Sequence, residues 1–131
     1  MTSALRWGPA LAWMGLIFLL SSQSRPPSLA GEAPDWLLHG IAYGALAALL
    51  HRAWTGRLLG PPAPAGVLLA VFAATTLFGA SDEFHQSFVP GRHAELRDLV
   101  ADAAGATLAL LVLRFAARPM PAAPSPPAPI Q

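Results

Sequence analysis

Between Ser81 and Gly105 the chain reads SDEFHQSFVPGRHAELRDLVADAAG, a polar block set between stretches that are almost wholly apolar. Five of the seven acidic residues fall here, with two of the four histidines and two of the eight arginines. A charge removed from water without a partner is costly. Any fold open to this chain must therefore gather these groups in one polar place and keep the aliphatic flanks elsewhere. The flanks indicate the solvent. With 54% hydrophobic and 11% charged residues and a mean hydropathy of +0.49, the chain is far from a soluble domain, where about 25% of residues are charged. A bilayer is the expected surrounding. A length of 131 residues makes one domain. The absence of cysteine excludes a disulfide framework and any thiolate metal site, and with no lysine, arginine carries every fixed positive charge.

Four apolar segments predict four helices. A helix rises about 1.5 Å per residue, so roughly 20 residues cross a ~30 Å hydrocarbon core. Leu5 to Leu20, closed by Ser21, Ser22, Gln23 and Ser24, just reaches that length, and Pro9 is expected near its first turn, where a missing amide hydrogen matters little. The competing reading is a cleaved signal peptide, with Ser28 and Ala30 as the small residues before a cut at Gly31. Pro26 and Pro27 hold that region away from the apolar run. Arg25 to Pro34 reads as a loop, after which Asp35 is placed to cap a helix patterned from Trp36 to Trp54. His39 and Tyr43 share one face of it. Gly40 and Gly44 have the GxxxG spacing that lets a neighbouring helix approach.

Pro61, Pro62 and Pro64 force a turn, and the next helix runs from Gly66 through Gln86 with Thr75, Gly79, Asp82 and Gln86 on one stripe. Val89, Pro90, Gly91 and Arg92 predict a tight turn. The last helix is expected from near Glu95 to Ala116, with Asp98, Asp102, Gly105 and Ala109 facing inward. The fold class expected is thus all-α, a four-span transmembrane helical bundle, with spans at about 5–22, 36–54, 66–87 and 96–116 in a domain covering 1–118. From Pro119 on, a proline- and alanine-rich tail is expected to be disordered.

Four crossings would place Arg6, Arg52, Arg57, Arg114 and Arg118 on one side, and Arg25, Arg92 and Arg97 with all seven acids on the other. The excess of basic residues predicts both termini in the cytoplasm and the acidic mouth outside. The same topology brings together Ser21, Ser22 and Gln23, His39 and Tyr43, Asp82, Glu83, His85 and Gln86, and Asp98 and Asp102. Ionisable groups within a membrane segment are a functional hypothesis by default.

These residues carry a resemblance. The serines and Gln23 after the first segment, His39 and Tyr43, the block DEFHQSFVPGR, Asp98 and Gly105 resemble the VanZ-like family of small integral membrane proteins over roughly Leu5 to Leu113. The family is named for an accessory protein of glycopeptide (teicoplanin) resistance. The resemblance implies a multi-span bundle in the bacterial cytoplasmic membrane that recognises or protects a peptidoglycan or lipid-linked precursor, or meets the glycopeptide itself. Ser22, Gln23, His39, Tyr43, Glu83, Gln86, Arg92 and Asp102 are then the candidate binding residues. Asp102 stands where the family usually has asparagine, and Trp36 where lysine is common.

Chemistry beyond recognition needs acids and a base in one place. Asp82, His85 and Asp98 are the catalytic candidates, for general acid and base work on an envelope lipid by a hydrolase or transferase. A proton-relay or structural subunit is a third option. Asp82, His85, Asp98 and Asp102 are also potential metal ligands, but there is a single acid-x-x-His pair where di-iron bundles use two, and no HExxH, so no metal and no cofactor is assigned. Against all of these stands a plain salt-bridge and capping role, preferred for Glu83, Glu95 and Arg97. Ser81 and Ser87 lack a nucleophile elbow, His51 and His93 are read as ordinary interfacial residues, and scattered arginines beside an acidic face exclude nucleic acid as a partner.

Overall fold

A computed structural model of the chain describes residues 2–24 and 33–117. They form four α-helices, α1 (Ser3–Ser21), α2 (Asp35–Thr55), α3 (Ala65–Gln86) and α4 (Leu96–Phe115), and no strand occurs among the described residues. The expected tail, the signal-peptide cleavage region, Arg25 and Arg118 lie outside the described residues. The helices run alternately up and down, so α2 and α4 are parallel, and these two share the largest interface.

Glycine makes that interface possible. A Cβ on Gly105 would collide with the backbone of Gly40, and one on Gly44 would sit 3.1 Å from the Gly105 carbonyl oxygen. The GxxxG spacing of α2 is therefore a backbone-to-backbone crossing with α4, as expected when small residues let helices touch. Below it, Leu46, Ala47, Leu50, Val71, Ala106 and Leu110 close an aliphatic core with Ala10 and Ile17 of α1. The buried stripe of α4 runs Asp98, Asp102, Ala106, Leu110. Asp98 and Asp102 lie on it as expected, while Gly105 and Ala109 are only half-buried, Gly105 lying against Gly40 of α2. The α3 stripe is as predicted: Thr75, Gly79, Asp82 and Gln86 are all buried.

Two local expectations fail for identifiable reasons. Asp35 is the first helical residue and not a cap, because the extended φ and ψ belong to Pro34, and no side chain caps that end. Pro9 lies in the second turn, since α1 starts at Ser3. A proline there cannot donate to the carbonyl four residues back, which is that of Leu5. Arg52 of α2 supplies the donor instead, its Nη1 lying 3.3 Å from Leu5 O. Arg6 answers in kind, with Nε 3.1 Å from Ala53 O and Nη2 2.8 Å from Trp54 O, carbonyls that the end of α2 leaves without helical partners. Gly56, at φ 78°, ends that helix. The predicted turn also forms: Arg92 N–H donates to Val89 O, with Gly91 at φ 81°.

The outer surface is apolar. Leu69, Leu77, Phe84, Phe88, Leu96, Leu108 and Phe115 are each at least 65% exposed, while Asp82, Glu83, Gln86, Asp98 and Asp102 are buried. Helices α1 and α3 are long and apolar enough to cross a membrane. The polar residues of α2 (Asp35, His39, His51, Arg52) and α4 (Arg97, Asp98, Asp102, Arg114) make those two less apolar.

Candidate functional site

All four helices deliver polar side chains to the end of the bundle where α1 and α3 finish and α2 and α4 begin. The first set is a chain of hydrogen bonds across α1, α3 and the following turn. Ser21 Oγ donates to Asp82 Oδ1 at 2.6 Å, Gln86 Nε2 donates to Asp82 Oδ2 at 3.1 Å, and Arg92 Nη2 donates to Gln86 Oε1 at 2.8 Å. Both oxygens of Asp82 are thus satisfied, though its residue is only 3% exposed. The positive end of the chain rests on a neutral amide, so Arg92 reaches the carboxylate only through Gln86.

The second set joins α2, α3 and α4. His39 Nδ1 lies 3.1 Å from Asp102 Oδ1 and 3.9 Å from Glu83 Oε1. Glu83 Oε2 accepts the backbone N–H of Glu95 at 2.9 Å, holding the first turn of α4 in place. Asp98 has only a distant cation, Arg97 Nε at 3.9 Å, on a side chain that is itself 62% exposed. Tyr43 stacks beside His39, with centroids 6.1 Å apart and planes 7° from parallel. Gly79 makes the room: a Cβ there would lie 2.6 Å from Asp102 Oδ2 and 3.2 Å from the Tyr43 ring.

Several buried atoms of this second set have no hydrogen-bond partner among the described residues: Tyr43 OH, Glu83 Oε1, Asp98 Oδ1 and Asp102 Oδ2. Buried polar atoms are nearly always paired in proteins, so a group of four in one place calls for an explanation. Three of them are carboxyl oxygens, and a buried carboxyl needs either a positive partner or a proton of its own.

At the rim, Ser22 Oγ lies 3.0 Å from His85 Nε2 and 2.6 Å from the Phe18 carbonyl oxygen. The carbonyl can only accept, so it takes the hydroxyl proton, and His85 Nε2–H donates to Oγ. That is the wrong direction for a serine nucleophile and its base. His85 also packs on Phe18, centroids 4.4 Å apart. The spacing that paired it with Asp82 in the sequence does not make it a member of the acid cluster. Gln23 is exposed and stays out of the hydrogen-bonded set, as does exposed His93, while His51 is buried at the opposite end.

Of the candidate residues, the structure therefore unites Asp82, Gln86 and Arg92 with Ser21, and His39, Tyr43, Glu83, Asp98 and Asp102 with one another. Ser22 and His85 form a separate rim pair. Gly79 was missed as a site residue; its signal was a glycine on the one polar stripe of an otherwise bulky helix.

Searches among curated proteins and among solved structures give no match. A family model described as VanZ/LLP1 matches residues 7–117, which takes in the polar end of the bundle with all of α2, α3 and α4. By that match the chain belongs to the VanZ/LLP1 family.

Proposed function

We propose that this chain is an integral membrane protein of the cell envelope that crosses the cytoplasmic membrane four times with both termini inside. Its polar end faces outward and recognises or protects a peptidoglycan or lipid-linked precursor, as in glycopeptide resistance. Family membership supports this reading, as do two helices apolar enough to span. The arrangement of burial supports it too: bulky side chains cover the outside and carboxylates lie within, the inverse of a protein meant for water. The arginine bias toward the end that holds Arg6, Arg52, Arg57 and Arg114 supports the orientation.

The observation that carries the functional reading is the convergence of Ser21, His39, Asp82, Glu83, Asp98 and Asp102 from four separate helices at one end. A network serving stability alone has no need to leave four of its buried atoms unpaired. Cells producing the protein are expected to withstand a glycopeptide better than cells without it, and Asp82→Asn and Ser21→Ala, which break the bond between α1 and α3, are expected to reduce that protection toward the level of an empty vector. Growth inhibition read beside the amount of each variant in isolated membranes decides the matter. Variants that reach the membrane normally and protect as well as the parent overturn the assignment.

A further inference from the structure

We propose that His39, Glu83 and Asp98 form a binding site for a divalent first-row metal cation. Each offers one ligand atom, and the three atoms all lie within 4.8 Å of one another. Nitrogen and oxygen ligands bind such ions at about 2.0–2.2 Å, so two of them on one ion stand roughly 3–4.2 Å apart. The 3.9 Å between His39 Nδ1 and Glu83 Oε1 is too long for a hydrogen bond and falls in that range.

A second, independent observation points into the same space. Glu83 and Asp98 are 6% and 5% exposed, and Glu83 Oε1 and Asp98 Oδ1 are both without hydrogen-bond partners. The other oxygen of Glu83 is fixed by Glu95 N–H, which aims the carboxylate and leaves Oε1 free. Asp102, fully buried, has Oδ1 3.1 Å from the same His39 Nδ1, so an ion held through that nitrogen displaces its proton and with it this hydrogen bond. Two carboxylates and one imidazole form a hard-to-borderline donor set, suited to Mn²⁺ or Zn²⁺ above Mg²⁺ or a thiophilic ion.

Spacing along the chain offers a single acid-x-x-His pair, Asp82 and His85, and that pair does not form in the fold. The ligands proposed here come one each from α2, α3 and α4, a combination no spacing along the chain reveals. The site is defined by ligand geometry and does not depend on which envelope component the protein recognises.

The test uses the full chain purified in detergent, stripped with a chelator and dialysed against Mn²⁺ or Zn²⁺, with bound metal measured by elemental analysis and Mn²⁺ also by its electron paramagnetic resonance spectrum. About one ion per chain is expected, with the melting temperature raised by the bound ion. Glu83→Gln preserves an acceptor for Glu95 N–H, and Asp98→Asn preserves shape; each is expected to weaken binding by about tenfold or more. Exposed Asp35→Asn should bind as the parent does. The proposal is overturned if the monodisperse parent retains no metal at micromolar concentrations, or if Glu83→Gln and Asp98→Asn retain as much as Asp35→Asn. Neither outcome bears on glycopeptide protection, which is read separately.

Discussion

The two ends of the bundle solve the problem of charge in opposite ways. At one end Arg6 and Arg52 reach out on long stems and rest on backbone carbonyls of the neighbouring helix, where α2 ends and where Pro9 leaves Leu5 unpaired. Their charges stay near the surface. At the other end the acids have short stems, point inward and meet one another: Asp82, Glu83, Asp98 and Asp102 are all buried, and Asp82 alone has both oxygens satisfied. The arginine end behaves as a clamp between α1 and α2. The acidic end holds more carboxyl groups than its own cations pair, and three of those carboxyls keep an oxygen without a partner among the described residues.

Substitutions at the two ends should separate these behaviours. The largest effect is expected from Asp102→Ala, which strips the partner from half-buried His39 at a position with no exposure. Breaking a buried pair costs about 3–5 kcal/mol, and thermal denaturation of the detergent-purified variant should show a large fall in midpoint; an unchanged midpoint would mean that the acidic end is not a coupled unit. Gly105→Ala comes next. Its new methyl group meets the Gly40 backbone, and overpacking of this kind costs about 1–3 kcal/mol. Gly8→Ala at the arginine end meets nothing within 4 Å and should be neutral or stabilising by about 0.5–1 kcal/mol. Equal behaviour of the two glycine variants in the same denaturation series would break the contrast. The smallest loss is expected from Arg6→Ala, about 1 kcal/mol, because the Trp54 carbonyl it leaves at the end of α2 is exposed and only the Ala53 carbonyl is part-buried.

Much of this architecture was legible in the sequence. Proline clusters and apolar runs place all four helices, the α3 stripe is read correctly from spacing alone, and the alternating topology brings His39 to Asp102. What was not legible depends on which neighbour occupies the space between two side chains. Asp82 and His85 are three apart and able to share a site, yet α1 stands beside them and divides them, Ser21 taking the acid and Ser22 with Phe18 taking the imidazole. The inward face of α4 is as expected at Asp98 and Asp102 and differs by one position only in the turns after them. Gly105 has no side chain to bury, so it goes to the contact with α2, and Ala106 takes the core. Asp35 illustrates a third limit: residue type suggests a cap, but backbone dihedrals decide it, and they belong to Pro34.

The glycine crossing of α2 and α4 has a bearing on selectivity. With main chain against main chain, the two helices can neither slide together nor tilt inward, and the span from His39 to the carboxylates of α4 is set by the backbones themselves. An ion bound as proposed would meet a gauge of fixed width, which selects by radius before it selects by charge.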